Sequence, residues 1–181
     1  MSKELKKSLV EIKLITETDA EGYIDLKQRS WLDTYPNQKH GISYDDIYKL
    51  VTHKSLKDRI QQTIFEIQNN QKLSVYIIHV DKKVAGFVNY QLSSSTKGKI
   101  QEIYLAPEYI GRSYGGMLMV FTIDRLRKLQ IKEITAEVAK YNIRAIKFYE
   151  DFGFVIERDF ENCFKINDKV YMPIIKLKKF L

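Results

Sequence analysis

Ile103-Tyr104-Leu105-Ala106-Pro107-Glu108-Tyr109-Ile110-Gly111-Arg112-Ser113-Tyr114-Gly115-Gly116 carries the chain from a strand-forming run, through a short glycine-containing loop, into a long apolar segment. The order reads as strand, loop, helix. A helix N-terminus presents N–H groups without intrahelical acceptors and a partial positive charge, so such a junction can bind a pyrophosphate with few cationic side chains. Small residues at 111, 113, 115 and 116 let a phosphate approach the main chain closely. Gly111 and Gly116 have the spacing of a P-loop, but Met117 and Leu118 replace its Lys and Ser/Thr, and no G-x-G-x-x-G occurs. Nucleoside triphosphate and NAD readings are therefore weak. On this segment alone, a tight turn with packing glycines competes evenly with a phosphate site.

Working outward, Tyr114 to about Gln130 is apolar on every side and reads as a helix buried against a sheet. Ile134, Ala136 and Val138 alternate as a strand. Asn142 suits the cap of a helix reaching Asp151, and Gly153 suits its C-terminal stop. Phe154 to Phe160 and Val170 to Leu177 form a final antiparallel pair. Upstream, Val10 to Ile15 alternates as a strand, and Thr18-Asp19-Ala20-Glu21 starts a helix bearing Leu26, Trp31 and Leu32. Ser43-Tyr44-Asp45-Asp46 resembles a capping box, and Leu56, Ile60, Ile64 and Ile67 recur at helical spacing to about Asn69. Leu73 to Val80 and Val84 to Leu92 flank the turn Asp81-Lys82-Lys83 as a hairpin. A loop over 93–98 leads to a strand from Lys99 to Leu105. The expected fold is a single-domain mixed α/β sheet with helices on its faces.

The 181 residues suit one domain, and 44% hydrophobic content argues against a disordered chain. No apolar run is long enough to cross a membrane, and the charged N-terminus lacks a signal peptide's apolar core. A lone cysteine, Cys163, points to a reducing, cytoplasmic setting. It lies far from any His in sequence and reads as a small buried residue. Of the +7 net charge, residues 1–10 carry +2 and residues 165–181 carry +4, leaving the body near neutral. Residues 1–9 and 178–181 read as basic tails. A nucleic-acid binder should instead show a basic stripe over its folded surface. His40, His53 and His79 match no metal spacing, so no metal is implied.

The loop at 110–116 together with Asn142, Ala145, Phe148-Tyr149 and Gly153-Phe154 closely resembles the GCN5-related N-acetyltransferase (GNAT) family. The element order from about Glu11 to Leu177 is similar too. Two positions depart from the family pattern: Ile110 stands at its Gln/Arg, and Ser113 at its central Gly. The resemblance implies a mostly antiparallel central sheet with helices on both faces. It implies an acyltransferase that passes the acetyl group of acetyl-CoA, as co-substrate, to an amine by direct attack. The acceptor would be a polyamine, another small amine or a peptide N-terminus.

Under that resemblance the cofactor is held by Ile103, Tyr104 and Leu105 on the strand, by Ile110, Gly111, Arg112, Ser113, Tyr114, Gly115 and Gly116 in the loop, and by Asn142, Ala145 and Tyr149. Tyr149 is the expected general acid for the departing thiolate. Glu102 is the base candidate, directly or through water. Trp31 and Tyr35, with Asp33 between them, offer an aromatic wall and an acid for the amine. A longer acyl-CoA donor, or a non-catalytic acyl-CoA-binding protein of the same fold, are the alternatives. The oligomeric state is open, with a homodimer through edge strands as one option.

Overall fold

The computed structural model describes residues 8–69 and 73–181. Residues 1–7 of the expected N-terminal tail lie outside them, as does the side chain of Ile67. The chain forms β1 (Val10–Leu14), α1 (Ala20–Thr34), α2 (Tyr44–Thr52), α3 (Leu56–Asn69), β2 (Leu73–Val80), β3 (Lys83–Leu92) and β4 (Lys97–Leu105). There follow α4 (Tyr114–Lys128), β5 (Glu133–Ala139), α5 (Ile143–Asp151), β6 (Val155–Lys165) and β7 (Tyr171–Phe180). One seven-stranded sheet runs β1-β2-β3-β4-β5-β7-β6. Every pair is antiparallel except β4–β5.

Local chemistry sets several boundaries. Ser43 accepts from the Asp46 N–H while the Asp46 carboxylate reaches back to Ser43, the capping box expected at the start of α2. α1 begins after a 3-10 turn whose Thr16 and Asp19 form a second capping box, slightly upstream of the expected start. Asp81 and Lys82 both adopt positive φ, 49° and 66°, as a two-residue hairpin turn requires.

Two cores sandwich the sheet. On one face Tyr76, Ile78, Val88, Tyr90 and Ile100 pack under α4 and α5. On the other, Val75, Ile77 and Phe87 pack under α1. A third cluster joins Ile42 and Ile47 to Met172 and Ile174 of β7.

Three sequence expectations need correcting. α4 is not buried all round: Leu118, Met119, Thr122, Ile123 and Leu126 face the sheet, whereas Met117 and Val120 are exposed. A helix on an outer face has only one side to bury. Cys163 is exposed rather than buried, because it sits on the edge strand β6 where pairing with β7 slips between Phe160 and Phe164. Residues 178–180 are not a tail: Lys178 pairs with Val155 and Phe180 with Glu133 across the sheet. The charge there is offset as well, since Lys176 and Lys178 each lie 2.8 Å from Glu157. Those two ammonium groups hold the Glu157 carboxyl down at about 2.

Candidate active site

The parallel contact between β4 and β5 is short. It pairs Lys97–Ile100 with Glu133–Ala136 and then stops, although β4 continues to Leu105 and β5 to Ala139. A bulge lies at the parting: Asn89 pairs with Glu102 and Tyr90 with Ile100, so Gln101 is the extra residue. Bulges bend a strand and increase its twist. Beyond this point the inner edges of 101–105 and 137–139 face each other across a cleft instead of a ladder. The cleft holds about 330 Å³.

The loop closes one end of that cleft. Gly111 (φ 78°) and Ser113 (φ 66°) turn the chain left-handed, and α4 then begins. Among the described residues, none of the backbone N–H groups from Gly111 to Gly116 finds a protein acceptor. Unpaired N–H groups at the positive end of a 15-residue helix suit an anion, and Gly111, Ser113, Gly115 and Gly116 among these residues line the cleft. A Cβ at Gly115 would lie 3.5 Å from Leu105 and from Phe148, so that glycine keeps the backbone open to the cleft. Ser113 adopts the left-handed conformation that favours glycine, and its side chain makes no cap hydrogen bond. Such a donor set and open backbone fit the pyrophosphate of coenzyme A.

Most expected site residues meet here. Glu102, Ile103, Tyr104, Leu105, Ile110, Gly111, Ser113, Gly115, Gly116, Asn142, Ala145, Tyr149 and Tyr35 line the cleft. Arg112 is exposed and does not. Tyr114 packs edge-on to Tyr109 at 5.8 Å, leaving only its N–H for the cradle. Asn142 is occupied locally: its Oδ1 accepts from the Ala145 N–H at 3.1 Å, capping α5. Trp31 lies outside the cleft, wedged against Tyr35 and Phe164. No cluster of three or more His, Cys, Asp or Glu side chains suited to a metal occurs among the described residues. Nor is any helix among them long and apolar enough to cross a membrane.

Tyr149 is buried, stacked edge-on to Phe148 and Phe154. Burial pushes its phenol well above the usual tyrosine value, with Tyr35 adding to the effect. Opposite, the Tyr35 and Tyr104 hydroxyls share a hydrogen bond, and the Tyr141 hydroxyl donates to the Tyr35 carbonyl at 2.8 Å. Burial raises Tyr35 to about 12 and Tyr104 well above its usual value. Glu102 is only 12% exposed, and Lys27 sits 2.9 and 3.0 Å from its two oxygens. No local pattern announces this partner, which is 75 positions away. Asp33, Glu137, Phe148 and Arg144 also line the cleft. Phe148 stood in the aromatic motif but read as core, and nothing local marks Glu137 as a site residue.

Known proteins are similar to this chain in sequence and in fold. The model of the acetyltransferase (GNAT) family matches residues 28–154. The spermidine N(1)-acetyltransferase of Thermoplasma acidophilum is 26% identical over 149 residues, 82% of this chain and 89% of that protein. Among solved structures, the PaiA N-acetyltransferase of Thermoplasma acidophilum in complex with coenzyme A superposes with a TM-score of 0.77 at 22% identity, covering 96% and 99% of the two chains. The spermidine N-acetyltransferase of Vibrio cholerae with CoA and spermine gives 0.74 at 18%, covering 94% and 95%. The ribosomal-protein-S18-alanine N-acetyltransferase of Escherichia coli gives 0.69 at 19%, covering 95% and 94%.

Proposed function

The chain belongs to the acetyltransferase (GNAT) family, and we propose that the acceptor of this acetyl-CoA-dependent N-acetyltransferase is a small polycationic amine of the spermidine type. The charge of the cleft carries this reading: Asp33, Glu102 and Glu137 line it against a single cation, Arg144. Lys27 and Lys99 pair with two of these carboxylates, leaving Asp33 without an ion pair among the described residues. An amine bearing several charges can set one ammonium at Glu102 and a second against the unpaired Asp33. A peptide N-terminus brings only one charge to the site. The similarity to a spermidine acetyltransferase over most of both chains points the same way.

Bound acetyl-CoA supplies the thioester, and the residues of the chain do the rest. The N–H groups of 111–116 hold the pyrophosphate. The open edge of 103–105 aligns the pantetheine arm and offers a donor to the acetyl carbonyl, where negative charge develops. Glu102 draws the proton from the acceptor ammonium, with Lys27 fixing its carboxylate. The freed nitrogen attacks the carbonyl carbon and sheds its second proton to solvent, and the carbon–sulfur bond breaks as the carbonyl re-forms. Tyr149 gives its proton to the departing sulfur. Burial raises the phenol, so Tyr149 keeps its proton until the sulfur departs.

The test is an acceptor screen that follows free thiol release from acetyl-CoA. Spermidine and spermine should turn over with kcat/KM roughly tenfold or more above a neutral-bodied monoamine or an alanine-terminated peptide, the worth of about one charge-assisted contact. Faster turnover of the peptide would overturn the polyamine assignment.

A further inference from the structure

A second chamber of about 360 Å³ lies on the α1 side of the sheet, between α1, the end of α2, α3 and strand β3. It shares no lining residue with the cleft. Three of its lining side chains hold a buried polar atom with no hydrogen-bond partner among the described residues: Trp31 Nε1, Arg59 Nε and Asn89 Oδ1. Asn89 is only 8% exposed. Arg59 is fixed in place, because its Nη1 donates to Gln28 Oε1 at 3.0 Å and to the Val51 carbonyl at 2.8 Å. Its Nε–H is left for something else. Buried polar groups without partners are costly, so three around one chamber mark a place built to be filled.

We infer that this chamber is a binding site for a small hydroxy- or amino-carboxylate with an apolar body. The indole Nε1–H and the guanidinium Nε–H are both donors that call for an acceptor. Arg59 and Lys54 outweigh Glu66, so that acceptor is an anion, and a planar carboxylate suits the two donors. Asn89 Oδ1 requires a donor from the same molecule, an ammonium or hydroxyl beside the carboxylate. Ile24, Leu50 and Val75 form an apolar wall for the remainder. The chamber borders the cleft without sharing a lining residue with it: Lys27 on its wall turns its ammonium away from the chamber to Glu102.

The chain has one tryptophan, so Trp31 reports the site directly in the intact protein. L-leucine and 2-hydroxy-4-methylpentanoate are titrated while the Trp31 emission and its indole N–H resonance are followed. Leucinol (no carboxylate) and 4-methylpentanoate (no donor) are the controls. Both measurements should saturate with the first two ligands, and about tenfold or more weaker binding is expected for each control. Saturating CoA and spermidine should leave the response in place. Asn89→Leu and Arg59→Met should each weaken binding by a similar factor in protein that folds by circular dichroism. If neither substitution yields folded protein, the wild-type panel decides. No saturable change with any compound would mean a water-filled chamber only and would overturn the assignment. Displacement by CoA or spermidine, equal binding of the controls, or wild-type affinity in folded Asn89→Leu would overturn it too.

Discussion

The loop at 110–116 and helix α1 line opposite ends of one cleft, yet the first works with backbone and the second with side chains. The loop offers N–H groups that carry no residue identity, so Ser can stand where the family has Gly provided it adopts φ 66°. Across the cleft, Asp33, Tyr35 and the Lys27–Glu102 pair act through their particular atoms. A backbone site tolerates substitution as long as its path is kept. A side-chain site is reset by a single change. The donor end should therefore be general to the family and the acceptor end particular to this chain.

The largest effect expected on chemistry is at Tyr149, which belongs to neither set. Tyr149→Phe keeps the ring packed against Phe154 but removes the proton. It should lower kcat by roughly 10²–10⁴-fold while the KM for acetyl-CoA changes little. Melting temperature is measured on the same preparation. Unchanged turnover would make Tyr149 a core aromatic. Next in size, Asp33→Asn should raise the KM for spermidine by about three- to tenfold, since Asp33 is exposed and partly screened, and should leave CoA affinity alone. An equal loss in both constants would break the division between the two ends.

How much of this was legible follows the same division. The element order, the loop, the Asn142 cap and the Gly153 stop are local chemistry, and each is found where the sequence placed it. The parting of β4 from β5 was invisible, because it depends on a bulge whose meaning appears only when β3 is paired alongside. Trp31 went astray for a related reason. Its place in α1 was clear, but the side of the helix facing the cleft is set by packing against Phe164 on β6, 133 positions later. The Tyr35–Tyr104 and Tyr141–Tyr35 contacts span 69 and 106 positions, and no local pattern announces them.

Two smaller effects sharpen the contrast. On the side-chain side, Tyr35, Tyr104 and Tyr149 all have raised phenol values, whereas an unfolded phenol titrates near 10. Above that pH the unfolded state loses protons that the folded state keeps. The contribution is therefore complete below pH about 10 and lost as pH rises toward the folded values, about 12 for Tyr35. Urea midpoints between pH 8 and 11 should fall at the alkaline end, and less steeply in Tyr35→Phe; a flat profile would place these phenols in water. On the backbone side, Ser113→Gly removes the left-handed strain of a residue with a Cβ. It should change stability by less than about 1 kcal/mol, because the relief is offset by a more flexible unfolded chain, and CoA affinity should hold or improve. A loss of CoA affinity would mean that the Ser113 hydroxyl, not its backbone, holds the phosphate.

The central claim is that the open backbone of 111–116 anchors the cofactor, and calorimetric titration of CoA into Gly115→Glu tests it most directly. The glycine has room for a Cβ, with nearest atoms at 3.5 Å, so the variant should keep its far-UV circular dichroism. A carboxylate at the cradle should repel the pyrophosphate and weaken CoA by at least about a hundredfold, while Gly115→Ala loses much less. Wild-type CoA affinity in folded Gly115→Glu would contradict the account.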